Sequence, residues 1–248
     1  MPLDVESTGR GRNLVLLHSL LADRSAFDRV VPMLAARRRV WRVNLPGYGA
    51  SERAGRSIED YADHLAPLLD ATGKDTDIVG NGFGGFIAVA LAARHGAKFG
   101  RLVAAPALAR FPDAAKPPLL GLAERVAKEG MAGALDIAIR RMFPETYIAA
   151  HPEVVEERKR ALAKADPGSF QTACRALAAL DFSPILPSIR NPTLVMAGSE
   201  DATTPPGLAR ELAAGIPDAR FEELKGCGHC PQIEDPPLYV AALERFLP

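Results

Sequence analysis

The sequence predicts an α/β protein: a mostly parallel, doubly wound sheet with a block of helices inserted between two of its strands. Three observations carry this expectation. Short strand-like stretches recur at 13–18, 40–45, 77–80, 102–105, 193–197 and 219–224, the first a near-continuous apolar run as expected for a strand buried on both faces of a parallel sheet. Stretches of helical periodicity stand between them, the alternation of βαβ units. From about 107 to 187 the strands cease, and four helical stretches follow one another.

The first strand is Asn13-Leu14-Val15-Leu16-Leu17-His18. An amphipathic helix over 27–36 follows, with Phe27, Val30, Val31 and Leu34 at helical spacing. The strand over 40–45 ends in the turn Pro46-Gly47-Tyr48-Gly49. Ser57 opens the next helix with Asp60 as its capping-box partner, and Tyr61, Leu65, Leu68 and Leu69 share one face. Pro67 falls inside that helix, at a cost on the order of 3 kcal/mol in an ideal interior, so a kink is expected there.

The strand at 77–80 runs straight into Gly82-Phe83-Gly84-Gly85 and an apolar helix over 86–95, and a strand at 102–105 follows. The helical block reads as 117–129, 131–142, 153–165 and 168–180, punctuated by Gly130, Pro144, Pro152 and Pro167-Gly168. This divides the chain into a core of 1–106 and 188–248 and a helical cap of 107–187. The core pattern then resumes with a strand at 193–197, a helix at 205–214, a strand at 219–224 and a helix at 237–246.

Composition narrows the function classes. The 248 residues are 48% hydrophobic and 24% charged, and Lys+Arg and Asp+Glu are both 30, so the formal net charge is zero. That balance gives no support for nucleic-acid or membrane-surface partners and leaves a small molecule as the expected one. The dense basic run Arg37-Arg38-Arg39 reads as a solvated helix end. The N-terminal residues show no signal-peptide pattern, and no apolar run approaches the roughly 18 residues of a membrane span. Three cysteines, Cys174, Cys227 and Cys230, are too few for a disulfide scaffold, and a reducing, cytoplasmic setting is expected. No feature asks for a cofactor or a metal.

Strand, Gly80-Asn81-Gly82-Phe83-Gly84, helix has the layout of a nucleophile elbow, normally Gly-x-Ser-x-Gly. The central residue of that motif sits on a sharp, strained turn, and its neighbours must be small for strand and helix to approach. Here the centre is Gly82, which has no hydroxyl and tolerates the strained backbone best. Taken alone, the same residues also fit a glycine-rich turn that cradles a phosphate, though without the Gly-x-Gly-x-x-Gly spacing of a dinucleotide site. Two later segments favour the elbow: Gly198-Ser199-Glu200-Asp201 and Gly226-Cys227-Gly228-His229 follow the last strands in the order nucleophile, acid, histidine.

With these pieces in order, the chain resembles the α/β-hydrolase superfamily over nearly its whole length. His18 and its following loop resemble the family's His-Gly oxyanion segment. Leu45-Pro46-Gly47-Tyr48-Gly49-Ala50-Ser51 resembles its Asp-x-Pro-Gly-x-Gly-x-Ser loop. Gly198 to Pro205 resembles its acid loop, and Gly228-His229 with Gln232-Ile233-Glu234-Asp235-Pro236 its histidine loop. Within the superfamily the sequence is most similar to 3-oxoadipate enol-lactonases, through 130–144 and through Asp166-Pro167-Gly168-Ser169-Phe170 as far as Asp181. Next come the meta-cleavage-product hydrolases, chiefly through Val79-Gly80-Asn81. The departures are Gly82 for the serine, Met142 where the lactonase cap has tryptophan, Ser19 where most members have glycine, and Asn44 where aspartate is frequent.

The resemblance implies roles. His229 is the general base, and Asp201 holds its tautomer. The backbone amides of Leu20 and Phe83 form the oxyanion hole. Ser19, Arg141 and Met142 are candidate substrate-binding residues. Arg140-Arg141-Met142-Phe143 hints at an anionic, partly apolar ligand, and reads equally as a helix end with solvated arginines. Cys227-Gly228-His229-Cys230 matches a redox or half-zinc motif in isolation, but it follows the last strand and lacks a second cysteine pair. The implied reaction is hydrolysis of a small ester, an enol-lactone-like lactone or a C–C bond. With Gly82 at the nucleophile position, three readings stand open. Water activated by His229 attacks directly; the protein binds a ligand without turnover; or Gly82 is an introduced replacement in a serine hydrolase.

Overall fold

A computed structural model describes residues 3–53 and 55–248. Seven strands form one sheet in the order β1-β3-β2-β4-β5-β6-β7. β1 (Val5–Thr8) is antiparallel to β3 (Arg38–Val43). β2 (Arg12–Leu17), β4 (Thr76–Gly80), β5 (Leu102–Ala104), β6 (Thr193–Gly198) and β7 (Ala219–Leu224) complete a parallel array with β3.

Period-two alternation sorts the strand side chains between two apolar layers. Val15, Leu17, Ile78, Leu102, Ala104, Val195 and Ala197 face one cluster, and Leu14, Leu16, Val79, Val103, Leu194 and Met196 face the other. Both faces are covered by helices, which is why these strands read as unbroken apolar runs.

The expected helix over 27–36 divides into a 3₁₀ turn at Arg24–Phe27 and a single α-turn, α1 (Val31–Leu34). Pro32 is the reason: it fits the first turn of a helix and not its interior, so it starts a new element instead of continuing an old one. α2 (Ile58–Thr72) has the capping box of Ser57 and Asp60 and runs continuously through Pro67, which forgoes one backbone bond without ending the helix. α3 (Phe83–His95) is buried from Phe83 to Ala92.

Between β5 and β6 stand α4 (Lys116–Glu129), α5 (Leu135–Met142), α6 (Glu145–Ala150), α7 (Pro152–Leu162) and α8 (Pro167–Ala179). α6 is a short addition to the four expected stretches. α4 packs along α8, and an antiparallel bridge between Arg110 and Asp181 joins the two ends of the segment. α9 (Pro206–Gly215) links β6 to β7, and α10 (Pro231–Glu234) and α11 (Pro236–Phe246) close the chain.

The basic run is also placed differently from its expectation. Arg38 and Arg39 belong to β3, and Arg38 is buried with its guanidinium 3.6 Å from Asp77. Asp77 is fully buried near the start of β4, bonded by Arg12 Nε at 2.8 Å and Arg12 Nη2 at 3.1 Å. A buried carboxylate requires such partners, and the run supplies one of them.

Candidate active site

Parallel strands bring their C-terminal ends to one edge of a sheet, and the loops leaving that edge build the site. Ser19 follows β2, Gly82 follows β4, Asp201 follows β6 and His229 follows β7. The register that pairs Leu17 with Gly80 sets the first two loops side by side.

Gly82 sits at φ 51° and ψ −116°, the strained turn expected of an elbow. Its neighbours are glycines because the backbones touch: a Cβ on Gly80 would lie 2.2 Å from the carbonyl oxygen of Gly84, and one on Gly84 would lie 2.2 Å from that of Leu17. The amide of Gly84 donates to the carbonyls of His18 at 2.9 Å and Asn81 at 3.0 Å. Asn81 Nδ2 donates to the carbonyl oxygens of Ala105 at 2.6 Å and His229 at 3.1 Å, tying the elbow to the histidine loop.

His229 and Asp201 meet as expected, with Nδ1 2.9 Å from Oδ2, both side chains buried. Asp201 Oδ1 accepts the amides of Thr203 and Thr204, each at 2.8 Å, and Oδ2 also accepts the Thr204 hydroxyl. Burial alone would push the Asp201 carboxyl up, but the attraction of His229 and these hydrogen bonds outweigh it and hold the group below its ordinary value. A carboxylate at Oδ2 requires a proton on Nδ1, which leaves Nε2 as the acceptor of the neutral ring. That nitrogen faces Gly82: a Cβ built there would lie 2.9 Å from it. The same Cβ would lie 2.6 Å from Ser19 Oγ.

The loop after β2 is pinned by two side chains. The amide of Leu45 donates to His18 Nε2 at 2.9 Å, so Nδ1 carries the proton and donates to the carbonyl of Ser19 at 2.8 Å. Burial pushes the His18 pKa down to about 4, which keeps this tautomer neutral. The Tyr48 hydroxyl donates to the carbonyl of Leu20 at 2.9 Å. In a trans peptide the N–H opposes the preceding C=O, so fixing the Ser19 carbonyl also fixes the direction of the Leu20 amide. Among the described residues the amides of Leu20 and Phe83 donate to no protein acceptor, as an oxyanion site requires.

A narrow cavity opens beside Gly82. Ser19, Thr203, Thr204 and His229 form its polar end, and Phe86, Phe111, Leu119, Leu122 and Leu177 its apolar end. Arg141 of α5 also lines it and forms no ion pair among the described residues. Burial pushes its pKa down against the attraction of Cys174 and Asp201. Arg140 is exposed, so the two arginines divide between the readings open to them: one is a solvated helix end, the other faces the cavity. Met142 does not line this cavity. It is fully buried, and its carbonyl accepts the amide of His229 at 3.1 Å, which braces the histidine loop from α5.

Cys174, Cys227 and Cys230 are free and buried. Burial pushes the Cys227 thiol up to about 12 and Cys230 well above its ordinary value, so neither supplies a thiolate at neutral pH. Among the described residues no group of three or more His, Cys, Asp or Glu side chains stands close enough to hold a metal ion. No described helix is long and apolar enough to cross a membrane. Thr204, Asn81, His18 and Tyr48 are supports whose contacts sequence reasoning did not assign. His18, Asn81 and Tyr48 each carried a signal, through the His-Gly-like oxyanion segment, the Val79-Gly80-Asn81 match and the Pro-Gly-Tyr-Gly turn.

A family model described as the alpha/beta hydrolase family matches residues 14–243. The chain is 32% identical to a pimeloyl-[acyl-carrier protein] methyl ester esterase of Chromobacterium violaceum, over 100% of this chain and 98% of the relative. It is 30% identical to the protein of that description from Aromatoleum aromaticum, over 90% of this chain and 93% of the relative. Among solved structures it is similar to a thermophilic esterase of Thermogutta terrifontis with malate bound, at TM-score 0.87 and 30% identity, covering 99% of this chain and 92% of that one. It is also similar to an enol-lactonase of Burkholderia xenovorans, at TM-score 0.90 and 29% identity, covering 99% and 96%.

Proposed function

This chain belongs to the alpha/beta hydrolase family, and on that premise we propose that it hydrolyses a small carboxylic ester or lactone bearing an anionic group. The observation that carries the reading is the buried Asp201–His229 pair, whose Nε2 faces Gly82 in a cavity also lined by Arg141, which has no ion-pair partner among the described residues.

In this reading His229 Nε2 removes a proton from the attacking oxygen, which in the direct form is water. The amides of Leu20 and Phe83 receive the carbonyl oxygen as it gains charge, and the protonated ring returns its proton to the leaving group. Asp201 stabilises the imidazolium between these steps. Arg141 binds a carboxylate at the far end of the substrate, and the helices of 107–187 act as a cap, supplying both Arg141 and the brace on His229. The methyl-ester and enol-lactone activities named for the relatives, and the malate bound to the Thermogutta esterase, support this substrate class. The free thiols support a reducing, cytoplasmic setting.

Loss of a triad nucleophile costs about 10⁶ in kcat in a serine protease, while roughly 10³–10⁴ over water survives. The substrate is therefore an activated one, an enol-lactone or an ester with a good leaving group. The test is hydrolysis of a p-nitrophenyl ester and an enol-lactone by the protein, by His229→Ala and by Gly82→Ser. Turnover abolished in His229→Ala supports the reading; turnover unchanged in that variant overturns it. Ligand binding without product in the parent, and no gain in Gly82→Ser, would instead make this a binding protein on a hydrolase scaffold. A large gain in Gly82→Ser with an inert parent would mark residue 82 as a replaced serine.

A further inference from the structure

We infer that the Ser19 hydroxyl replaces the absent side-chain nucleophile: Ser19 Oγ attacks the substrate carbonyl while His229 Nε2 receives its proton. The inference deepens the hydrolase reading above and rests on it.

Four observations converge. First, Ser19 Oγ and His229 Nε2 both lie within 3 Å of the point where a side chain on residue 82 would begin, at 2.6 and 2.9 Å. The hydroxyl thus approaches from the facing loop the place that a serine at the elbow would fill. Second, glycine at position 82 leaves this place open, because a Cβ there would lie 2.6 Å from Ser19 Oγ and the hydroxyl would have to turn aside. As the Ser19 hydroxyl stands, it and a side chain at 82 would meet in one space. Third, the hydroxyl is uncommitted. Ser19 is buried and lines the cavity, and among the described residues its Oγ forms no hydrogen bond. Its backbone is rigid nonetheless, held by His18 Nδ1 on its own carbonyl and by Tyr48 on the next. Fourth, the oxyanion geometry is conserved under the exchange. An elbow nucleophile uses the amide of the residue after it plus one from the facing loop. For Ser19 the following residue is Leu20 and the facing amide is Phe83, so the same two donors serve with their roles exchanged.

The chemistry balances. Oγ–H gives its proton to Nε2 as the Oγ–carbon bond forms and the carbonyl electron pair moves to oxygen. Collapse of the intermediate expels the alkoxide, which takes the proton from His229 and leaves as the alcohol. A water then gives a proton to the same nitrogen, attacks the acyl-Ser19 ester, and releases the acid as Oγ is reprotonated. Oγ and Nε2 form no hydrogen bond with each other here; such contacts commonly tighten on substrate binding.

The test uses the full chain and a fluorophosphonate, which captures an activated serine covalently. After cleavage at Arg12 and Arg24, residues 13–24 form a peptide holding a single serine, Ser19. The expected result is one adduct on that peptide, lost in His229→Ala. Ser19→Ala should lower kcat for the p-nitrophenyl ester about 10³-fold or more with KM little changed, while Ser19→Cys should retain an acyl-enzyme seen by intact mass. An adduct on another residue overturns the inference, and so does Ser19→Ala turning over at the parent rate. If that variant stays active while His229→Ala is inactive, water attacks directly and the hydrolase reading stands without Ser19. If the parent neither turns over nor labels, both readings fall. Peptide mapping on the parent decides the matter even if Ser19→Ala does not fold.

Discussion

Asp201 bonds His229 Nδ1 at 2.9 Å through Oδ2 while its other oxygen holds the amides of Thr203 and Thr204, so one carboxylate both shapes its own loop and sets the tautomer of the histidine. The two tasks are separable by mutation. In Asp201→Asn the amide oxygen can keep the loop bonds, but an NH₂ then faces Nδ1–H and drives the ring to the other tautomer. Turnover should fall by about 10⁴, the loss seen when a triad aspartate is so replaced, with the far-UV circular dichroism unchanged. Retained activity would show that the pair has no part in catalysis.

Arg141 lines the cavity and has no ion-pair partner among the described residues, so its guanidinium is available to an anion. In Arg141→Gln, KM for an ester carrying a distal carboxylate should rise roughly 10–100-fold, the range of a charge-assisted hydrogen bond. KM for a neutral ester of the same length should stay the same. Equal effects on both esters would place Arg141 outside substrate recognition.

Gly82 adopts φ 51°, and an added Cβ would press on Ser19 Oγ and His229 Nε2. Gly82→Ala should therefore lose about 1–2 kcal/mol of stability in urea unfolding and lower any turnover, because both side chains must retreat. An alanine variant as stable and as active as the parent would show that the space at residue 82 has no mechanistic role.

The buried Asp77 makes a structural prediction far from the cavity. Arg12→Ala removes its bidentate partner and leaves only the longer contact to Arg38 and the amide of Arg101. The cost should be roughly 2–4 kcal/mol, because an under-compensated charge remains in the interior. Restoring neutrality with Asp77→Asn in the Arg12→Ala background should recover part of it. A change under about 0.5 kcal/mol in Arg12→Ala would contradict this account.

Glu234 carries a pH signature. Burial pushes its pKa up to about 7, against the amides of Gly228 and Cys230 that donate to it. The unfolded side chain titrates near 4.5, so between these values the folded state binds more protons and stability falls as pH rises. The full effect, present above pH 7, is on the order of 3 kcal/mol. His18 acts oppositely: with its folded pKa pushed down to about 4, its contribution is complete above 6.5 and is lost as pH falls toward 4. The two nearly cancel where they overlap, so the whole-protein curve conceals both. The informative quantity is the stability of Glu234→Gln minus that of the parent, which should rise from pH 4.5 to 7 and then level off. A flat difference would refute the assignment.

Much of this protein was legible in its residues alone. The central parallel strands carry long apolar stretches, the capping box of Ser57 and Asp60 is local, and the order Gly82, Asp201, His229 needs only reading along the chain. Elements too short or too mixed for periodicity escaped: β1 is an edge strand with one half-buried end, and α6 and α10 span six and four residues. The division of the expected helix at Pro32, and the burial of Arg38 against Asp77, turned on packing that the local pattern does not encode.

The chain by itself determined the fold class and singled out Asp201 and His229 as the candidate acid and base, because each rests on local pattern or on order. Tertiary structure decided what stands opposite the missing side chain. Residues 19 and 82 come together only because β2 and β4 pair in the register that sets Leu17 against Gly80, and residues 141 and 229 only because α5 lies against the histidine loop. Those distances are set by sheet register and helix packing, which act between segments far apart in sequence.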